Sequence, residues 1–294
     1  MKFFKFIELI QSKENIIQYL IDQKVIKSSL ECNNCRKTMC MQDYTDSIDG
    51  KCFRCTKCKS RKSIRTNTFI ESFKQPLSTI ACMIYFMHLE ILQKHIAEIL
   101  DIDPKTVMDF QAIMREEMRK FIFYHGEMLG GDGIIVQVDE SVVAKAKISR
   151  NKHARPVREQ WVFGAYDVNK KHGWIQLVGD RSKETLHSII KEWCLPGTII
   201  ASDGWPAYEG LAELGFEHRV VVHERHFVDP KTGVHTNNVE SYWQRCKRSL
   251  KRVYGTSRDL LPTYIDEFMW IERYGTCIKD RWDRFIKTIM INYQ

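Results

Sequence analysis

The segment from Cys32 to about Asn67 constrains the chain most, because it cannot build a core from its own side chains. It is polar, rich in Cys, Lys and Arg, and poor in large aliphatic residues. A stretch of this composition folds only if something other than apolar burial supplies the free energy, and a structural zinc ion does that directly. Cys32-x2-Cys35 and Cys55-x2-Cys58 have the spacing of a four-thiolate zinc ribbon. Cys52 lies close enough to Cys55 to compete as a ligand. We take Cys55 and Cys58, because Lys51 to Arg54 then reads as the strand entering the second knuckle. The pairing of thiols points to metal ligation in a reducing compartment rather than to disulfides.

The ribbon divides the rest. Ahead of it, residues 7 to 24 carry Ile and Leu at helical spacing, which predicts two short helices in 1–31. After it, residues 68–125 are helical: Leu77 to Leu89, then a helix, a turn around Asp101 to Pro104, and a long helix from near Lys105. That is the outline of a helix-turn-helix, whose second helix can enter a major groove, and Lys105 at its start is a candidate DNA contact. The glycines at 126, 130, 131 and 133 mark a linker. Residues 126–294 then read as three successive strands, Ile134 to Val138, Glu159 to Asp167 and Trp174 to Val178, followed by a helix from Lys183 to Trp193. A strand from Thr198 to Ala201, a helix from Pro206 to Leu214, a strand from His218 to Val222 and a long helix from Asn238 complete the pattern. This order predicts an α/β fold, a ribonuclease H-like mixed sheet flanked by helices, with amphipathic helices over residues 258 to 291 leaning on it.

Within that domain three acidic residues stand where elements begin or end. Asp139 closes the apolar run GIIVQVDES, Asp203 closes TIIASDG, and Glu240 falls early in the helix NNVESYWQRCKRSLKR. Carboxylates are poor core material and good hard-oxygen ligands. Brought together, the three would hold two magnesium or manganese ions for phosphodiester chemistry, with Asp139 bridging them. Glu140 competes locally with Asp139, but strand alternation sends the two side chains to opposite faces. Asp132 and Asp180 read as turn residues and Asp167 as a solvated strand end. Trp205 and Trp243 are expected to pack behind the acids. His235 precedes the third helix and is a candidate contact to the scissile phosphate or attacking water, while Thr236 or Asn237 could cap that helix.

The net charge of +8 favours a polyanionic partner. Glu240, Gln244, Lys247 and Lys251 share one helix face, so a basic stripe runs away from the acids. A second basic run, with Lys145, Lys147, Arg150, Lys152 and Arg155, lies between the first two strands and could clamp phosphates. The N-terminal stretch lacks a signal-peptide pattern, and STIACMIYFMHLEIL is too short to cross a bilayer, so neither secretion nor a membrane is expected.

The motifs CNNC, RTNTFIESFKQPL, VDES, WVFGAYD, ASDGWPAY and VHTNNVESYWQRCKR together resemble the DDE transposases of the Merlin superfamily and their bacterial insertion-sequence relatives. The resemblance implies an enzyme that cuts double-stranded DNA at terminal inverted repeats and joins the 3′ ends to target DNA with two divalent ions. It also implies Asp139, Asp203 and Glu240 as the triad, His235 as a motif histidine, and a dimer or higher assembly. The family's first acid is commonly followed by a glycine-rich turn and a lysine, where this chain has ESVVAKAK. Two other functions keep the same modules: a catalytically inactive sequence-specific DNA-binding protein, and a structure-selective nuclease. In a eukaryotic host the expected location is the nucleus, otherwise the cytoplasmic nucleoid.

Overall fold

The computed structural model describes residues 1–144, 159–221, 235–253 and 256–293. They divide into two compact units, Met1–Tyr124 with Tyr274–Gln294, and His125–Arg273.

The first unit opens with helices α1 (Phe3–Ile10) and α2 (Lys13–Asp22), followed by strands β1 (Ser29–Glu31), β2 (Thr38–Asp43), β3 (Lys51–Cys55) and β4 (Arg61–Ser63). The strands form an antiparallel sheet in the order β1-β2-β3-β4. Beyond the sheet, Arg65 is buried and grips both carboxylate oxygens of Asp49, at 2.7 and 2.6 Å. Its remaining N–H groups donate to the carbonyls of Phe73 and Gln75, which fixes the chain just before the next helix. Helices α3 (Leu77–His88), α4 (Gln93–Leu100) and α5 (Pro104–His125) follow. Asp101, at φ 48°, ends α4 in the left-handed conformation, and the chain re-enters a helix at Pro104, where a missing N–H costs nothing. α4 and α5 are thus joined by a short turn.

The second unit is built on a five-stranded sheet. Strand β5 (Leu129–Gly130) precedes β6 (Ile135–Ala144), β7 (Gln160–Asp167) and β8 (His172–Val178). Helix α6 (Lys183–Trp193), the short β9 (Cys194–Leu195), β10 (Ile199–Ser202) and β11 (Glu217–Val220) come next, and then α7 (Asn237–Arg252) and α8 (Leu261–Tyr274). The sheet order is β11-β10-β6-β7-β8, with β6, β7 and β8 antiparallel to one another and β10 parallel to both β6 and β11. Three antiparallel strands, with a helical crossover to two parallel ones on the far side of the first, define the ribonuclease H-like topology.

Four expectations are corrected. β6 does not stop at Asp139: it runs on to Ala144, because Ser141 and Val142 continue the ladder with Val162 and Trp161 of β7. Residues 206–214 are not one helix but two 3-10 turns, Pro206–Tyr208 and Leu211–Leu214, separated by Gly210 at φ 87°. Asp167 is fully buried rather than solvated, because it accepts the backbone N–H groups of Gly130, Asn169 and Lys170. Finally, helix α9 (Ile278–Asn292) groups with the first unit, not with the sheet. Its Trp282 packs edge-on to Phe6 and donates to the Tyr19 hydroxyl at 2.8 Å, and Phe285 packs edge-on to Phe69. α8 does stay with the sheet, where Phe268 lies on Tyr242 of α7.

Candidate active site and metal centre

Asp139 and Asp203 are brought side by side by the parallel pairing of β6 and β10. Their register runs Ile135 to Ile199, Val136 to Ile200 and Gln137 to Ala201. Two residues on from the last of these pairs stand Asp139, within β6, and Asp203, one residue past the end of β10. The proximity is electrostatic as well as geometric. Burial, followed by the neighbouring charges of Glu140 and Asp203, pushes the Asp139 carboxyl up to about 7, against the opposing pull of the Glu140 N–H and the Trp243 indole. Asp203 accepts the backbone N–H of Trp205 at 3.1 Å.

Helix α7 lies over the Asp139 face of the sheet in step with β6. Gln137 Oε1 accepts the N–H groups of Asn238 and Val239 at 3.0 and 3.1 Å, so a strand side chain, rather than Thr236 or Asn237, satisfies the first turn of the helix. Trp243 Nε1 donates to Asp139 Oδ2 at 3.1 Å, and Lys247 Nζ donates to Ser141 Oγ at 2.7 Å. Close approach of the helix is possible because Gly164, the ladder partner of Asp139, has no side chain. A Cβ there would stand 2.4 Å from Cζ2 of Trp243. Gly173 makes the same kind of room for Tyr242, whose ring would meet a Cβ at 2.6 Å.

Glu240 lies on α7 between the residues anchored by Gln137 and by Asp139. At about 100° per residue it projects within about 20° of Lys247, seven positions on. It is exposed and accepts a hydrogen bond from the Thr236 hydroxyl at 3.2 Å. Among the described residues Asp139, Asp203 and Glu240 do not form a group of converging ligand atoms, and the charges acting on Asp139 are those of Glu140 and Asp203.

Gln137 also reaches His235: its Nε2 lies 3.3 Å from Nδ1 of the imidazole. Since Oε1 is committed to two N–H groups, Nε2 is the donor, and the ring hydrogen of His235 sits on Nε2. Gln137 escaped the sequence reading although it is 2% exposed, because a glutamine in an alternating strand reads as solvent-facing. Its place two residues before Asp139 on the same strand face was the available signal.

Glu140 projects to the other face, where the Tyr208 hydroxyl donates to it. Burial raises its carboxyl, with Asp203 adding to the shift while Tyr208 and Arg181 oppose it. Trp243 is buried as expected, but Trp205 is 41% exposed and so does not pack behind the acids.

Of the basic residues, Lys247 is at the site and Lys251 is exposed further along the same helix. Lys105 pairs with Asp109 at 2.9 Å on α5. Lys145, Lys147, Arg150, Lys152 and Arg155 lie outside the described residues.

In the first unit Cys32, Cys35, Cys55 and Cys58 place all four sulfurs within 4.8 Å of one another. Sγ of Cys32 lies 3.4 Å from that of Cys58, and Cys35 is 3.4 Å from Cys55. The Ser60 hydroxyl, the largest influence, holds the Cys32 thiol down to about 6. Four converging thiols, with Cys32 and Cys55 held below and Cys35 pushed above the usual thiol value, are compatible with structural zinc. Cys52 is not in the group; it pairs with Gln42 and Ser63 inside the ribbon sheet.

Residues 128–272, just under half of the chain, match the ISXO2-like transposase domain. An uncharacterized transposase-like protein of Haemophilus influenzae is 28% identical over 86 residues, 29% of this chain and 68% of that protein. Among solved structures, the catalytic core of BIV integrase matches with a TM-score of 0.33 and 12% identity, over 47% of this chain and 80% of that one. The HTLV-2 integrase catalytic core in complex with magnesium matches at 0.31 and 14%, over 49% and 86%.

Proposed function

We propose that this chain, whose residues 128–272 match an ISXO2-like transposase domain, is a DDE transposase of the bacterial insertion-sequence type that moves DNA by a cut-and-paste route. The observation that carries the reading is that the parallel pairing of β6 with β10 brings Asp139 near Asp203, under the helix that bears Glu240. The donor set suits hard divalent cations. An aspartate raised to about 7 by burial and by neighbouring carboxylates is a site where negative charge is crowded and short of compensation. Asp139, Asp203 and Glu240 would hold two magnesium or manganese ions, which supply charge neutralisation at the phosphate and activation of the attacking oxygen.

The chain's own residues provide the frame. Trp243 and the Glu140 N–H orient the Asp139 carboxyl. Gln137 sets the height of α7, and with it Glu240, above the strand. His235, held at Nδ1, presents an N–H at Nε2 to a phosphate or to water. Lys247 and Lys251 carry positive charge along the helix for the DNA backbone. Cleavage at a repeat end frees a 3′ hydroxyl, which attacks target DNA; each displacement inverts phosphorus and needs no covalent enzyme intermediate.

Zinc on Cys32, Cys35, Cys55 and Cys58 would hold the ribbon, which with α4 and α5 is assigned to recognition of the inverted repeats. Paired joining of two ends calls for a dimer or larger assembly. The protein would act in the nucleus of a eukaryotic host, or at a bacterial nucleoid.

The test is incubation of the purified chain with labelled duplexes taken from the DNA flanking its own gene, with and without manganese. Metal-dependent nicking at a repeat edge, lost in Asp139→Asn, is the expected result. Binding without cleavage would favour an inactive DNA-binding protein, and cleavage governed by branch shape a structure-selective nuclease.

A further inference from the structure

On the sheet face of Glu140, opposite that of Asp139, three side chains form a stack that none of the steps above uses, joined to Asp203 through the backbone of Trp205. The guanidinium carbon of Arg181 lies 3.9 Å from the ring centre of Trp161 and 5.0 Å from that of Trp205. Arg181 comes from the turn between β8 and α6, Trp161 from the start of β7, and Trp205 from the turn after β10. Three elements therefore converge, and the backbone N–H of Trp205 is tied to Asp203 at 3.1 Å.

The stack has two features that interior packing does not require. Trp205 keeps 41% of its surface in solvent, although an indole gains by burial. Among the described residues Arg181 has no carboxylate within ion-pairing distance; its guanidinium lies against ring faces, and its charge acts at longer range on the Glu140 carboxyl. A guanidinium stacked by its face keeps its N–H groups free at the edge, the geometry that suits a phosphate. An exposed indole face next to it suits a nucleobase, since every base can stack on an aromatic ring. Bases inside a duplex are already stacked, so the ligand that fits both features is an unpaired nucleotide.

We propose that Trp161, Arg181 and Trp205 form a platform for an unpaired nucleotide of the DNA strand adjoining the phosphate cut at Asp139 and Asp203, with its base on Trp205 and its phosphate at the edge of Arg181. The platform rests on the phosphodiester reading of those acids, and it adds a substrate preference: ends with a short single-stranded extension bind better than blunt ends.

The test uses the full chain without magnesium or manganese, so that DNA stays intact. Two probes of the same flanking sequence are compared, a blunt duplex and one with a three-nucleotide extension containing 2-aminopurine. In the wild-type protein, 2-aminopurine emission is quenched on binding. Trp205→Ala binds the extended duplex about tenfold more weakly and loses the quench, while its affinity for the blunt duplex stays within twofold. Trp205→Phe, which keeps a ring, retains both. Arg181→Gln weakens the extended duplex without abolishing the quench. An unquenched probe in a wild-type complex, or equal loss on both duplexes in Trp205→Ala, overturns the platform while leaving the transposase reading intact. Wild-type protein that binds neither duplex overturns both.

Discussion

Replacing Gly164 by Ala tests whether the seat of Trp243 on the strand organises the site. The added methyl would stand 2.4 and 2.5 Å from Cζ2 and Cη2 of the indole, well inside van der Waals contact. Neither partner has an easy escape. Gly164 is a ladder residue held between Asp139 of β6 and Ile175 of β8, and Trp243 is only 4% exposed. Overpacking of this kind costs about 1–3 kcal/mol. The indole must tilt, which also strains its bond to Asp139, an interaction worth about 1.5–3 kcal/mol when the carboxyl is ionised, above about pH 7. The two losses overlap, so we expect a total of about 2–3 kcal/mol rather than their sum.

A double-mutant cycle isolates the cause. Phe at position 243 lacks the two ring atoms that the methyl meets, so Gly164→Ala should cost at least about 1 kcal/mol less in Trp243→Phe than in the wild type. Hydrogen exchange read by mass spectrometry on peptides covering β6 and β7 reports this locally, without assuming that the two units unfold together. A loss of about 2–3 kcal/mol appears there as roughly a 30- to 150-fold fall in protection. If the substitution costs the same in both backgrounds, or less than about 0.5 kcal/mol in the wild type, the indole does not sit on the glycine and the argument from close approach fails.

Other expectations follow from the same geometry. Cys55→Ser should lower zinc content measured by plasma mass spectrometry, and Cys52→Ser should leave it unchanged, because only the former lies in the thiol cluster. Gln137→Ala strands the N–H groups of Asn238 and Val239 and should cost about 1–3 kcal/mol, seen as faster exchange at the start of α7; Gln137→Glu keeps the acceptor and should restore that protection. The raised Asp139 carboxyl predicts a pH effect in protein freed of magnesium and manganese. Between the ordinary aspartate value and about 7 the folded state holds a proton that the unfolded chain has released, so stability falls as pH rises through that window and is unaffected below it. The slope is at most about 1.4 kcal/mol per pH unit, and thermal melts from pH 4 to 8 should show it in the wild type and lose it in Asp139→Asn.

Local spacing made some features legible and long-range packing hid others. Two Cys-x2-Cys pairs identify the ribbon because a zinc site imposes a spacing that is visible within a short stretch. The strand and helix order from Ile135 to Val220 identifies the sheet, since each element announces its period and the crossover after β8 allows few topologies. The end of β6 is not legible in VDES, because it is pairing with β7 that carries the strand past Asp139 to Ala144. The helix expected after Pro206 was broken by Gly210, whose left-handed conformation outweighs the apolar pattern around it. Helix α9 shows an amphipathic face, but a face does not say which core will cover it.

The placement of Glu240 follows from a coincidence of two periods. Every second residue of a strand advances about 6.7 Å along one face, and every fourth residue of a helix advances about 6.0 Å. A helix running parallel to a strand can therefore meet it at a short series of matched positions before the mismatch accumulates. β6 and α7 do this three times: Gln137 meets Val239, Asp139 meets Trp243, and Ser141 meets Lys247. Asp203 enters the same frame through the parallel register of β10 with β6. With the helix fixed at three points, residue 240 has little freedom to slide or rotate relative to Asp139. The motif HTNNVESYW thus joins an acid to its own positioning device: the N–H groups that Gln137 captures precede Glu240, and the indole that Asp139 captures follows it by three residues.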